Sequence, residues 1–280
     1  MADRFGIGWR PELAAGILAN LEHLDVLEVM ADDLFDAPKN ELRAFRRLPV
    51  VLHGVSLGLA STVKVDEKRL AKIARVLEGT QAECWSEHLA FVRGGGHEIG
   101  HLAAPPRNAD TIEGTLRNLD RAREVTGQTP LVENIATLIE PPFSALDERE
   151  WLGRTLEQSS AGLLLDLHNL HANATNFGWS AESLFDRLPL ERVRQVHLAG
   201  GRWIQSKSGE RRLLDDHLHP VPDAVYRLLE QLAARVRGPL TVVLERDGRY
   251  PPFEVILAEL KRAREAVEAG RVAAQLKRSA

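Results

Sequence analysis

Eight short apolar runs alternate with helical stretches along the 280 residues, and this alternation constrains the fold more than any other feature. A buried parallel strand reads as a nearly continuous run of Val, Ile and Leu, and strands that alternate with helices indicate βαβ units. Eight such units favour a closed (β/α)8 TIM barrel over an open doubly wound sheet. The predicted strands span residues 5–9, 24–29, 50–53, 82–87, 131–133, 162–167, 193–198 and 240–244.

The sequence predicts a single α/β domain. The barrel is expected to cover residues 1–270, with a polar, frayed tail over residues 271–280. One helix should begin near Ser144, where the Ser-Ala-Leu-Asp sequence could form a capping interaction, and the last helix should span about residues 252–269. A Gly-x-Gly-x-x-Gly after the first strand and a P-loop are both missing, which argues against the nucleotide-binding α/β folds.

Composition excludes several classes of protein. The net charge of −4 and the pI of about 6.2 give no broad basic field, so nucleic acid is not an expected partner. The single cysteine, Cys84, rules out a disulfide framework and a thiolate metal site, and it is interpreted as a small buried side chain. No run approaches the ~18 apolar residues of a membrane span, and no signal-like segment opens the chain, so a cytoplasmic location is expected.

Six of the apolar runs end in a side chain that can bind a metal. A charged or imidazole group at the end of a buried strand is costly unless something pairs with it. The carboxyl ends of the strands of such a barrel meet at one mouth, where active sites lie. Imidazole and carboxylate ligands together suit a divalent transition metal, with Fe, Mn, Zn and Co all possible. The six residues are His53, His88, Glu133, Asp166, His197 and Glu245.

Further candidate ligands follow the sixth and seventh strands. Asp215 and His217 are predicted in a long loop, on one face of a short extended segment. His168 and Asn169 follow Asp166 on the same βα turn. These residues divide into three predicted ligand sets. His53, His88 and Glu133 would hold a first ion, and Asp166, His197 and Glu245 would hold a second, with Glu133 bridging the two. Asp215, His217 and either Asn169 or His168 would hold a third.

Each of these residues also has a structural interpretation. A lone histidine at a strand end is more often hydrogen-bonded in the core or at the surface, and the glutamates could pair with arginines. Arg202 and Arg246 could hold a carboxylate or a peptide backbone, although salt bridges explain them equally well, and Asn134 is a third candidate for substrate binding. The remaining histidines at positions 23, 97 and 101 are interpreted as structural or solvated. The metal hypothesis depends on the coincidence of many positions.

Seven segments of the chain together match the sequence pattern of one known family. The chain resembles the multinuclear non-heme iron-dependent oxidative enzymes, also called the DUF692 family, over essentially its whole length. The matching segments are HGVSLGLAS from His53, SEHLAF from Ser86, LVENIA from Leu131, GLLLDLHNLHANATNFG from Gly162, VHLAGG from Val196, DDHLHPVPDAVY from Asp215 and LERDGRYPPF from Leu244.

The resemblance implies a xylose-isomerase-like barrel that holds two or three iron ions, with mixed Fe(II) and Fe(III) states and with Zn or Mn as possible substitutes. Many members have Asp-Val-Asn-Asn where this chain has Asp166-Leu167-His168-Asn169, which leaves His168 and Asn169 as alternative ligands. The family ligand pattern carries over to His53, His88, Glu133, Asp166, Asn169, His197, Asp215, His217 and Glu245.

The resemblance also implies an activity. Characterised members modify ribosomally made precursor peptides with O₂, mostly at cysteine and sometimes at other residues, and a partner protein often presents the peptide. The implied reaction begins with hydrogen abstraction from the substrate by an Fe(III)–superoxide.

Two other functions remain open. A metal-dependent endonuclease or sugar isomerase could use the same barrel, although the charge argues against DNA and no sugar-isomerase base stands out. A non-catalytic metal-binding protein would be expected to lack ligands, and none of the nine is missing.

Overall fold

The computed structural model describes residues 2–207 and 209–279 and contains a closed barrel of eight parallel strands. The strands of the barrel follow one another in chain order, and the last pairs with the first, so that the sheet has no open edge. The strands are β1 (Arg4–Gly8), β2 (Val26–Met30), β3 (Val50–Gly54), β4 (Cys84–His88), β5 (Phe91–Gly94), β6 (His97–Ala103), β7 (Leu131–Glu133), β8 (Leu163–Asp166), β9 (Val193–Leu198), β10 (Gly201–Gln205), β11 (Arg211–Asp215) and β12 (Thr241–Leu244).

Helices surround the barrel, and capping side chains set where several of them begin. The Asp66 side chain accepts hydrogen bonds from the first turn of the third helix, and Asn108 forms a capping box with Thr111 at the start of the fourth. The helices are α1 (Ala14–Ala19), α2 (Lys39–Ala44), α3 (Glu67–Thr80), α4 (Ala109–Thr126), α5 (Glu148–Gln158), α6 (Leu167–Phe177), α7 (Glu182–Phe185), α8 (Asp223–Arg235) and α9 (Phe253–Ser279).

All eight predicted strands are present in the barrel, and the predicted fold class is confirmed. The prediction succeeded because these strands are apolar on both faces; every residue of β3 and of β8 is buried. Two antiparallel hairpins, β5–β6 and β10–β11, were not predicted. The exposed residues 97–101 of β6 carry no apolar alternation that would mark a strand.

Two predicted helix boundaries differ from the structure. The helix expected near Ser144 begins at Glu148, capped by Asp147, because the Ser144 hydroxyl donates to the Pro141 carbonyl and belongs to the preceding loop. The predicted frayed tail is instead the end of α9, which continues to Ser279. Arg271 anchors this part of the helix through hydrogen bonds to Asp3 and to backbone carbonyls.

The topology places both hairpins at the C-terminal mouth of the barrel. The hairpin β5–β6 follows β4, and β10–β11 follows β9, so each rises from the strand end that carries a candidate ligand. Among the described residues, no helix combines the length and the apolar character needed to cross a membrane.

We expect Gly6→Ala to destabilise the barrel by about 1–3 kcal/mol, the usual cost of overpacking. Gly6 lies on β1 where a Cβ atom would overlap the carbonyl oxygen of Val26 on β2. The measurement is chemical denaturation of the variant and the wild type. Gly94→Ala is the matched control, because a Cβ there meets no atom within 4 Å. Equal losses of stability in the two variants would contradict the prediction.

Candidate metal site

Six strand ends bring the predicted ligands together at one mouth of the barrel. Register aligns them in pairs: His88 lies opposite Glu133 across β4 and β7, and Asp166 lies opposite His197 across β8 and β9. None of the six is more than 9% exposed, which is unusual for ionisable side chains without partners. The six are His53, His88, Glu133, Asp166, His197 and Glu245.

The first cluster consists of His53, His88 and Glu133. The Nε2 atoms of both histidines lie 3.3 Å from Glu133 Oε2. His53 Nδ1 lies 2.8 Å from the hydroxyl of Ser86, which itself donates to the Leu52 carbonyl, and His88 Nδ1 lies 3.2 Å from the Gly54 carbonyl. Each Nδ1 therefore donates in the neutral ring, which leaves both Nε2 lone pairs directed at the carboxylate.

The second cluster consists of Glu133, Asp166, His197 and Glu245, whose ligand atoms lie within 4.8 Å of one another. His197 Nδ1 lies 3.1 Å from Glu133 Oε1 and 3.0 Å from Glu245 Oε2. Glu133 thus presents one oxygen to each cluster. Its Oε2 and Asp166 Oδ2 are buried without a hydrogen-bond partner.

The charges of the two clusters shift several pKa values. Burial opposes protonation of His88, but the carboxylates of Glu133, Glu87 and Glu245 together outweigh it and raise the His88 pKa to about 9. Burial likewise opposes the charge of His197, yet Glu245 and Glu28 raise its pKa well above the ordinary value. For Asp166, burial and the nearby Asp215 carboxylate both raise the pKa. The negative charge of the buried carboxylates must therefore be balanced, either by protons on the histidines or by a bound cation.

The donor set fits a divalent cation. When the histidines are neutral, their nitrogens and the carboxylate oxygens converge without hydrogens between them, an arrangement that costs free energy unless a cation lies among the lone pairs. Two ligand atoms that each bind one ion at about 2.1 Å lie about 3 Å apart, which matches the separations in both clusters. Metal ions could therefore occupy both clusters, with Glu133 shared.

The third predicted set is partly assembled around Asp215 and His217. His217 Nε2 lies 3.0 Å from Asp215 Oδ2, and its Nδ1 lies 3.5 Å from Glu245 Oε2, which links the set to the second cluster. The prediction that the Asp215–His217 segment is extended was wrong, because His217 has a left-handed backbone with φ of 52°. Asp215 ends the strand β11 rather than lying in a long loop.

His168 and Asn169 have different environments. His168 Nδ1 lies 2.6 Å from Asp215 Oδ1 and so holds that carboxylate in place. The His168 ring also packs against Gly201, where a Cβ atom would overlap it. Asn169 donates its amide to the Asn134 carbonyl and leaves Oδ1 buried without a partner. His168 Nε2 is buried without a partner as well, but Asn169 lines the cleft above the clusters and His168 does not, which favours Asn169 as the ligand.

The candidate substrate-binding residues lie elsewhere. Arg246 is 4% exposed and donates to Glu259, and Arg202 is half exposed and pairs with Asp216; neither lines the cleft above the clusters. Asn134 bonds the backbone of Asp166 in both directions and so ties β7 to β8. All three side chains therefore have partners within the protein.

Sequence reasoning missed three polar residues around the site. Glu28 on β2 is fully buried and lies 2.8 Å from His197 Nε2. Asp247 lies 3.1 Å from His217 Nδ1 and pairs with Arg10, which follows the neighbouring strand β1. A glutamate inside the apolar run of β2 was the one available signal; Asp247 and Arg10 lie in loops, where sequence alone gives none.

A cleft of about 640 Å³ opens above the clusters. Its floor includes His53, His88 and Glu133, and its walls are mostly apolar. One wall comes from the loop after β7, including Ile139, and another from the hairpin β5–β6, whose exposed His101 lines the cleft. A larger cavity of about 1320 Å³ lies at the opposite end of the barrel and contains no candidate ligand.

The chain is similar in sequence to a known family. A family model described as "RiPP precursor modification enzyme MbnB/TglH/ChrH" matches residues 4–268. A UPF0276 protein of Streptomyces avermitilis is 37% identical over 273 residues, which cover 94% of this chain and 55% of that protein. The chain thus spans about half of that relative. UPF0276 protein BPP1075 of Bordetella parapertussis is 32% identical, with 98% of this chain and 93% of that protein covered.

Solved structures show the same fold at low sequence identity. L-ribulose 3-epimerase superposes with a TM-score of 0.62 and 14% identity, covering 99% of this chain and 98% of its own. Endonuclease IV from Thermus thermophilus superposes with a TM-score of 0.58 and 18% identity, covering 95% of this chain and 99% of its own. The barrel is therefore xylose-isomerase-like, as predicted.

We expect the Cys84 thiol to react slowly with iodoacetamide. Burial and the adjacent Glu83 raise its pKa from 9.0 to about 11, which lowers the thiolate fraction at pH 8 about a hundredfold. The measurement is the alkylation rate by mass spectrometry, with the urea-unfolded chain as control. A native rate equal to the unfolded rate would contradict the assignment of Cys84, which is half-buried and lines the larger cavity, as an unreactive residue.

We expect Glu133→Gln to remove more metal than His53→Ala. The carboxylate faces both clusters, whereas His53 belongs to one, and an amide NH₂ would face ring nitrogens that bear lone pairs. The measurement is elemental analysis after anaerobic loading with Fe²⁺, with circular dichroism to confirm folding. Equal metal content in the two variants would show that Glu133 is not shared.

Proposed function

We infer a function from the premise that the chain belongs to the MbnB/TglH/ChrH family of RiPP precursor modification enzymes. We propose that it is a multinuclear iron enzyme that uses O₂ to oxidise a ribosomally made precursor peptide, most often at a cysteine side chain. The proposal includes two or three ions, which are mixed-valent in the active form. A separate protein that presents the peptide is part of the same proposal.

The observation that carries the proposal is the position of Glu133 between two clusters of candidate ligands, one of histidines and the other of His197 with two carboxylates. One carboxylate oxygen faces His53 and His88, and the other faces His197. A bridging carboxylate is the usual means of holding two cations about 3.5–4 Å apart. A single-ion site would not need both oxygens in this arrangement.

The proposed ligands divide between the clusters. His53, His88 and Glu133 would hold one ion, and Asp166, His197 and Glu245 would hold another with Glu133 shared. A third would be held by Asn169, Asp215 and His217, which line the same cleft; Asn169 Oδ1 and the ring nitrogens of His217 have no hydrogen-bond partner. Iron bound there would supply O₂ activation.

The protein's own residues would position the substrate and exclude water. The apolar walls of the cleft, including Leu102, Ile135 and Leu213, would cover an extended peptide segment while one side chain reaches the floor. Arg10 lies at the rim with its guanidinium held by Asp247, so it could contact a peptide carbonyl without losing that support. Low local polarity would protect a reactive intermediate from solvent.

The test begins with metal analysis of anaerobically purified protein, followed by Mössbauer spectroscopy after iron enrichment. The proposal predicts two to three irons per chain with coupled Fe(II) and Fe(III) signals. Incubation with O₂ and candidate precursor peptides should then give a mass change on the peptide and matching O₂ consumption. The zinc-loaded protein is the control and should bind peptide without oxidising it.

Two other results of these measurements would contradict the proposed function. Stoichiometric zinc with no retained iron, even after iron supplementation, would remove the support for oxidative chemistry and favour a metal-dependent hydrolase. Iron binding without O₂ consumption on any peptide would retain the metal centre and contradict the proposed reaction.

A further inference from the structure

Glu28 is the most buried carboxylate near the site that belongs to neither cluster. It lies on β2 with no solvent exposure, and its Oε2 contacts two groups: His197 Nε2 at 2.8 Å and the side-chain amide of Gln195. Its other oxygen has no partner. A buried carboxylate at this position is costly and calls for a specific role.

The hydrogen-bond inventory fixes the direction of these contacts. The amide nitrogen of Gln195 can only donate, and a carboxylate can only accept. His197 Nε2 must therefore carry its proton toward Glu28, because an unprotonated Nε2 would place its lone pair 2.8 Å from an oxygen that can only accept. The opposite ring atom, Nδ1, is then the one that faces Glu133 and Glu245.

His197 differs in this respect from the histidines of the first cluster. His53 and His88 direct Nε2 at Glu133 and use Nδ1 for a neutral oxygen, whereas His197 directs Nδ1 at the carboxylates and uses Nε2 for Glu28. A neutral hydroxyl or carbonyl supports the first two. His197 instead has a carboxylate behind it.

We propose that Glu28, itself held by Gln195, is a positioning residue that orients His197 and selects Nδ1 as its metal-binding nitrogen. Residues that hydrogen-bond the far side of a metal-binding histidine fix its tautomer and increase its basicity. Glu28 is not a ligand, because it lies across the imidazole ring from the other carboxylates. This inference rests on the proposed metal centre but not on iron or on O₂ chemistry.

The test uses Zn²⁺ as the probe, with Glu28→Leu and Glu28→Gln as variants. Chelator competition should show that E28L weakens Zn²⁺ binding about 10–100-fold at one site, while E28Q, whose carbonyl oxygen still accepts from His197, stays closer to wild type. Glu148→Leu is the matched control. It removes another buried carboxylate, bonded to Arg107 and Asn173, and should lower stability without that affinity loss.

A second measurement does not depend on the folding of any variant. Long-range ¹H–¹⁵N NMR of histidine-labelled, Zn²⁺-loaded wild type should show His197 protonated at Nε2 and bound to the metal through Nδ1. A proton on Nδ1 would overturn the proposal, as would unchanged affinity in E28L. Failure of the wild type to bind Zn²⁺ in this cluster would overturn the metal centre and this inference together, whereas loss of iron chemistry alone would leave the role of Glu28 standing.

Discussion

The arrangement of the site depends on one buried carboxylate, Glu133, that faces histidines on both sides. Burial favours the neutral acid, but the neighbouring His88 and His197 lower the Glu133 pKa and keep the group ionised. Its two oxygens then define two neighbouring clusters rather than one. The other candidate ligands are arranged around this group, and the barrel supplies a rigid support for each of them.

The barrel provides this support because parallel strands deliver their ends to one mouth. A closed sheet has no free edge, and its strands pair in fixed register, so a side chain at a strand end is placed within a narrow range. The register that sets His88 opposite Glu133 and Asp166 opposite His197 is a property of backbone hydrogen bonding. The same scaffold carries an endonuclease and epimerases, so function here depends on the ligand set and not on the fold.

Contacts behind the candidate ligands are as informative as the ligands themselves. Ser86 and the Gly54 carbonyl fix the two histidines of the first cluster, Glu28 fixes His197, and Asp247 lies behind His217. These partners leave a lone pair on each ring pointing inward. Convergent lone pairs in a dry pocket are stable only with a cation or extra protons, which is the physical basis for expecting a metal.

The eight strands and the six candidate ligands at their ends were predictable from the sequence. Strands buried on both faces leave an unmistakable apolar run, and an ionisable residue at the end of such a run stands out. Only the tertiary structure shows that Asn169 lines the cleft and His168 does not, that Arg246 and Arg202 are not part of its lining, and that Glu28 contacts His197. Those outcomes depend on side-chain directions and on contacts between residues that are distant along the chain, such as Glu28 and His197. Neither can be read from the pattern of residues along the sequence.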